Sequence, residues 1–346
     1  MTDDPTCATL PDAAIEAAAE HVRAVLELAI EHTADRAAVV VFDSRCELAR
    51  ALTEAYRRSL PTASFVDFDG TEPDAVLATF DQLSAGDLVV LIQSTSFRLN
   101  AFRIRIGLFK RSLKVIEHPH LERMRGAEAL VYLDSLAYDA DYFRGVGHAL
   151  KERIDRAQVG VIDSGGERLV YPAAFEPAKL NIGDYTGMQN VGGQYPIGEV
   201  FTESRDLNAV AGRVRISFFG DLSFRVNRPE RPITLHVEKG RIVDVTDTTP
   251  EFERVLASIR ESDGEVWLRE LGFGMNRAFT QERTVSDIGT FERMCGVHLS
   301  LGSKHATYNK PEIRKKTARH HVDVFVITEA VLLDDEVIYR DGAWLV

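Results

Sequence analysis

The run AAVVVF, Ala37–Phe42, decides how the first half of the chain is read. It is short, apolar and rich in β-branched residues, the composition of a strand buried on both faces. Just upstream lies DAAIEAAAEHVRAVLELAI, Asp12–Ile30, alanine-rich with apolar residues three and four apart. That spacing predicts an amphipathic helix. Downstream the alternation continues: Arg45–Leu60 is helical, Ala63–Phe68 strand-like, Asp74–Leu83 helical, and LVVLI at Leu88–Ile92 another buried strand. Leu113–Ile116 and Leu130–Leu133 read as further strands, and Asp139–Arg156 as a last helix. Strands alternating with helices of this length build βαβ units around a parallel sheet.

Near Ala157 the texture changes. Strand-like pieces follow one another at Val159–Ile162, Gly198–Thr202, Gly212–Phe219, Ile233–Val237 and Arg241–Val245, with one clear helix at Glu251–Glu261. ITLHVEKGRIVDV reads as a hairpin turning at Glu238, Lys239 and Gly240. The expected layout is an α/β domain over residues 1–157 and a mixed, largely β, metal-binding catalytic domain over residues 158–346. A length of 346 residues is enough for two domains, each with its own core.

The formal net charge of −12 argues against a nucleic-acid backbone or an anionic membrane as principal partner. The basic trio Arg314, Lys315 and Lys316 reads as a solvated turn. Cys7, Cys46 and Cys295 are too widely spaced for a disulfide framework or a CxxC pair. The acidic start, MTDDPTCATLPDAA, lacks the layout of a signal peptide, and no apolar run approaches the ~20 residues of a membrane span. A reduced, cytoplasmic enzyme is expected.

Histidine placement carries the chemistry. Four of the ten histidines, His298, His305, His320 and His321, fall within 24 residues. On a strand, residues two apart share a face, so His321 and Asp323 in HHVD can present an imidazole and a carboxylate to one ion. His298, in the strand-like GVHLSLG, can reach it from a neighbouring strand. Zinc, manganese, cobalt and ferrous iron accept this mixture. The alternative is a chance pair with one residue buried and hydrogen-bonded.

Two carboxylates stand upstream, Glu199 in NVGGQYPIGEVFTES and Glu270 in VWLRELGFGMN. Either can bridge metal ions, orient water or act as general base; the alternative is that Glu199 satisfies loop backbone donors and Glu270 pairs with Arg269 or another cation. GFGMNR and GVGHAL lack the full dinucleotide-binding spacing and read as turns. There is no Walker A sequence and no Gly-x-Ser-x-Gly elbow.

In order, PIGEVFTE, EKGRIVDV, RELGFGMN, GVHLSLG, HHVD and the closing VLLDDEVIYRDGAWL resemble the aminopeptidase T (thermophilic aminopeptidase) family of metallopeptidases, over roughly Gly187 to the C-terminus. The resemblance implies an N-terminal α/β domain and a C-terminal domain holding two adjacent divalent ions, zinc, cobalt or manganese. It places Glu199, Glu270, His298, His321 and Asp323 on the ligand positions, with a glutamate bridging or serving as base. It implies hydrolysis of a peptide or amide bond in a peptide or small-molecule substrate, by a homodimer. The family has a tyrosine seven residues after the ligand histidine; here that position is His305 and the nearest tyrosine is Tyr308. Both are candidates to stabilise the tetrahedral intermediate. The same fold is used by a ring-cleaving 2,5-dihydroxypyridine dioxygenase, which has a histidine in place of Glu270. That leaves, as the alternative, one Fe(II) held by His298, His321 and Asp323.

Overall fold

The computed structural model describes residues 9–99, 104–313 and 318–346. Cys7 and the basic trio Arg314, Lys315 and Lys316 lie outside the described residues. The chain clusters into two compact units: Met1–Asp141 with Gly183–Ile197 and Arg283–Val285, and Tyr142–Ile182 with Gly198–Glu282 and Ser286–Val346.

The first unit is α/β. Its five strands lie in the order Ser64–Asp67, Ala38–Phe42, Leu88–Ile92, Lys114–His118 and Gly192–Gln194, each pair parallel. Leu88–Ile92 is buried along its whole length, which is why LVVLI carries no alternation. The last strand, Gly192–Gln194, comes from far along the chain and has no pattern of its own.

Three local readings are corrected here. The first helix is α-helical only over Asp12–Ala24; Val25–Ala29 winds more widely, with Ile30 N donating to Val25 O at 2.9 Å. Leu130–Leu133 is not a strand but part of the helix Ala127–Asp134, which buries Ala129, Tyr132 and Leu133 at helical spacing. GVGHAL lies inside the helix Ala140–Arg156 rather than in a turn. Gly147 is small there because a β-carbon would come within 2.6 Å of the Ile182 side chain.

The second unit holds a fourteen-stranded sheet whose pairings are antiparallel. The hairpin Ile233–Glu238 and Arg241–Thr246 closes through Lys239 (φ 50°) and Gly240 (φ 71°), the two left-handed residues of a tight turn. Phe218, Phe279 and Phe325 surround Phe291, with ring centroids 5.3, 6.0 and 4.8 Å away, and form an apolar floor in this unit. Among the described residues no helix is long and apolar enough to cross a membrane.

Candidate metal centre

Four adjacent strands of the large sheet carry the cluster, in the order Glu199–Glu203, Leu268–Gly274, Gly296–Leu301 and Val322–Val326. Register puts Gly272 between Phe201 and His298, Gly274 opposite Glu199, and Ser300 opposite Asp323. Directly paired residues share a face, as do residues two apart, so Glu199, Glu270, Gly272, His298 and Asp323 all lie on one side. GFG is therefore part of a strand, not a turn. Its glycines clear the surface of the second strand. A β-carbon on Gly272 would sit 2.0 Å from His298 Cε1 and Nε2, in the place the imidazole occupies. Side chains from the strands on either side meet over that gap.

Two groups of ligand atoms result, each lying within 4.8 Å: Glu199 with Glu270 and His298, and Glu270 with His321 and Asp323. Glu270 belongs to both. His298 Nε2 is 3.2 Å from Glu199 Oε1 and 3.4 Å from Glu270 Oε1, and His321 Nε2 is 3.1 Å from Asp323 Oδ1. Despite this closeness, both His298 nitrogens and Asp323 Oδ1 are buried without an aligned hydrogen-bond partner among the described residues. Buried polar atoms are rarely left so. An imidazole nitrogen and a carboxylate oxygen left so, each within its own group of ligand atoms, are what a cation would satisfy, and imidazole with carboxylate suits zinc, cobalt, manganese or ferrous iron.

The electrostatics agree. Burial alone would lower the His298 pKa, but Glu199 and Glu270 beside it raise it to about 10. Burial likewise opposes the His321 charge, and Asp323 with Glu270 raises it to about 9. Burial would raise Glu270, yet His298 and His305 hold it well below the ordinary carboxylate range. A cluster of carboxylates this negative draws positive charge.

His305 belongs to the cluster in a different way. Its side chain is 3% exposed and its Nε2 lies 2.8 Å from Glu270 Oε2. Nδ1 accepts from the backbone N–H groups of Thr307 (3.1 Å) and Tyr308 (3.4 Å). In the neutral ring the proton then sits on Nε2. That N–H is out of line with Glu270 and has no acceptor among the described residues. Tyr308 is buried against His305, ring centroids 5.1 Å apart, and its hydroxyl donates to the Pro177 carbonyl at 2.8 Å. His320 points elsewhere, its Nδ1 3.2 Å from Asp263 Oδ1.

The residues beneath the cluster have no motif. Arg269, next to Glu270 in sequence, pairs instead with the fully buried Glu203, its NH2 reaching Oε2 at 3.1 Å. It also donates to the carbonyls of Ser303 (2.6 Å) and Tyr308 (3.0 Å), anchoring the loop that bears His305. Lys310 ties the end of that loop to Glu176 at 2.7 Å. Arg293 places NH2 3.7 Å from Glu199 Oε2. Only the adjacency of an arginine to Glu270 was visible in the sequence, and it pointed to the wrong partner.

Fold and cluster together define a two-domain protein, one unit α/β and the other largely antiparallel β, with a group of residues in the second that could hold a metal ion. No protein-family model matches the sequence, and neither does any curated protein. Among solved structures the chain is similar to the 2,5-dihydroxypyridine dioxygenase of Pseudomonas putida KT2440, with a TM-score of 0.61 and 16% identity over 95% of this chain and 96% of that one. It is similar also to wild-type AmpT (aminopeptidase T) of Thermus thermophilus, with a TM-score of 0.58 and 15% identity over 96% and 99%. At such identities the likeness is one of fold.

Proposed function

We propose that the protein is a metal-dependent hydrolase of the aminopeptidase T type, cleaving a peptide or amide bond near a free amino terminus. The observation that carries this reading is the membership of Glu270 in both ligand groups. One carboxylate shared between two carboxylate–imidazole pairs is the donor pattern of two neighbouring divalent ions, here zinc, cobalt or manganese. Glu199, Glu270, His298, His321 and Asp323 are the ligands, and their three carboxylates offset most of the charge. Divalent ions held there supply Lewis acidity towards water and towards the scissile carbonyl.

The chain's own residues supply the rest. Glu199 and Glu270 are the carboxylates available to take the proton that water gives up and return it to the leaving amine. His305 is a donor rather than a ligand, because its Nδ1 is engaged and its Nε2 bears the proton. That N–H, beside Glu270 but out of line with it, donates to the oxygen of the carbonyl as it becomes tetrahedral, the part a tyrosine plays in the resembled family. Tyr308, with its hydroxyl on Pro177, holds the loop.

The second reading, a ring-cleaving dioxygenase with one Fe(II), draws on the fold likeness to the dioxygenase. It needs His298 and His321 on one ion, whereas each convergent group contains one histidine. The deciding assay offers a panel of aminoacyl p-nitroanilides to protein loaded with zinc, cobalt or manganese. Metal-dependent cleavage is expected. No cleavage, with oxygen uptake on a dihydroxylated aromatic in the presence of Fe(II), overturns the hydrolase. We further propose a cytoplasmic homodimer, supported by the family resemblance and the apolar strand runs of the second half. Light scattering that returns a 38.6 kDa particle at micromolar concentration contradicts the dimer.

A further inference from the structure

The helix Pro250–Asp263 ends on an aspartate, followed by Gly264 at φ 86°. A carboxylate at a helix C-terminus faces the negative end of the backbone dipoles, where a lysine or arginine would be favourable. Asp263 nevertheless has a fully buried side chain. A buried charge against the local preference needs compensation, and the compensation comes from two other segments.

Asp263 Oδ2 accepts from the backbone N–H of Ser303 at 2.8 Å and of His320 at 3.3 Å. Oδ1 accepts from the N–H of Arg319 at 3.2 Å and lies 3.2 Å from His320 Nδ1. Ser303 stands two residues before His305; Arg319 and His320 immediately precede His321. The two segments are also joined to each other, since Lys304 N donates to His320 O at 2.9 Å and His321 Nδ1 donates to Lys304 O at 3.2 Å. The second bond fixes the His321 tautomer, leaving Nε2 to face Asp323.

We propose that Asp263 is a positioning residue that sets His305 and His321 with one carboxylate, and so governs one half of the cluster and not the other. This rests on the metal-site reading above. Among the described residues the hydrogen bonds of Asp263 go to Ser303, Arg319 and His320, none of which lies on the strands that carry Glu199 and His298, so its effect falls on the group Glu270, His321 and Asp323.

The test compares wild type with Asp263→Asn, which keeps the shape but loses the charge and one acceptor oxygen. Apoprotein is titrated with Co²⁺ and followed by visible absorbance and calorimetry. Wild type should show two binding steps. In Asp263→Asn one step should weaken about 10–100-fold, the scale for removing a partner that orients a metal ligand, while the other stays within about threefold. Ser258→Ala, which removes only the hydroxyl 3.3 Å from His320 Nε2, should change neither step. Equal weakening of both steps, or a lowered melting temperature with both steps intact, overturns the proposal. A second readout needs no metal: in ¹⁵N-labelled apoprotein the His321 Nδ1–H resonance should broaden or vanish in Asp263→Asn while the His298 resonances stay in place. Failure of wild type to bind Co²⁺ contradicts the metal-site reading alone, and the imidazole spectra then decide on Asp263. Unchanged His321 spectra in the variant contradict the positioning role.

Discussion

Two histidines, one in each unit, are equally buried and chemically opposite. His118, at the end of a parallel strand of the first unit, is 0% exposed; His298, in the large sheet of the second, is 1% exposed. His118 stands between two hydroxyls, with Nε2 2.8 Å from Tyr56 Oη and Nδ1 2.7 Å from Tyr132 Oη. One ring nitrogen donates and the other accepts, so the neutral ring is complete, and burial pushes its pKa down to about 3. His298 faces two carboxylates, holds no aligned hydrogen bond, and has its pKa raised to about 10 despite the same burial. The contrast separates a histidine that finishes a core from one whose bonds are still to be made. Burial by itself says nothing about function; what the ring faces decides.

Substitutions at the two positions should therefore fail in different currencies. His298→Ala is expected to abolish metal-dependent activity and to lower bound metal to about one ion or none, with little change in thermal midpoint. Asp323→Ala should do the same, by metal analysis and differential scanning calorimetry. Full metal content in either variant would make the cluster structural, like His118. His305→Ala sharpens the comparison within the cluster, because it removes a donor and not a ligand. Turnover on aminoacyl p-nitroanilides should fall about 10²–10³-fold with metal content unchanged, and His305→Tyr should keep or improve it. Wild-type turnover by His305→Ala would contradict the donor role.

His118→Ala should leave metal and activity per folded molecule unchanged while stability drops. The buried Tyr56 hydroxyl loses its bond to the ring, at about 1–3 kcal/mol, while Tyr132 keeps its bond to the Tyr195 carbonyl at 3.2 Å; urea unfolding reads the loss directly. A narrower test of the same ring is its pH dependence. A folded pKa of about 3 lies below the ordinary value of 6.5, so the unfolded chain takes up a proton in that window and the folded one does not. This contribution to stability is complete above pH 6.5 and lost as pH falls towards 3, on the order of a few kcal/mol in all. His118→Gln should show a shallower loss between pH 7 and pH 4 than wild type; parallel curves would mean that His118 protonates in the fold.

What the sequence made legible follows from how local each feature is. LVVLI and AAVVVF declare buried strands by composition; HHVD reads as a strand with a shared face, but the strand starts at Val322, and His321 comes within 3.1 Å of Asp323 from just before it. Leu130–Leu133 misled because four apolar residues in a row fit a buried strand as well as a helix; Ala129, Tyr132 and Leu133 at helical spacing held the better clue. Gly272 could not be read in advance, since its meaning depends on His298 arriving from the next strand. The same holds for Glu203 with Arg269 and for Asp263 with Ser303, pairs 66 and 40 residues apart. Partners chosen by the fold leave no spacing in the chain. Glu199 and Glu270 were weak singly and gained weight only from the order of the motifs around them; the sheet then brings both to His298.

The central claim, that Glu270 joins two ligand groups into one dinuclear site, is tested most directly by counting metal ions. Wild-type protein and Glu270→Gln are saturated with zinc or cobalt, freed of excess by gel filtration, and analysed for metal per chain. The account predicts about two ions in wild type and about one or none in Glu270→Gln, because the shared charge is gone. A single iron per chain, bound equally by both proteins, would contradict it.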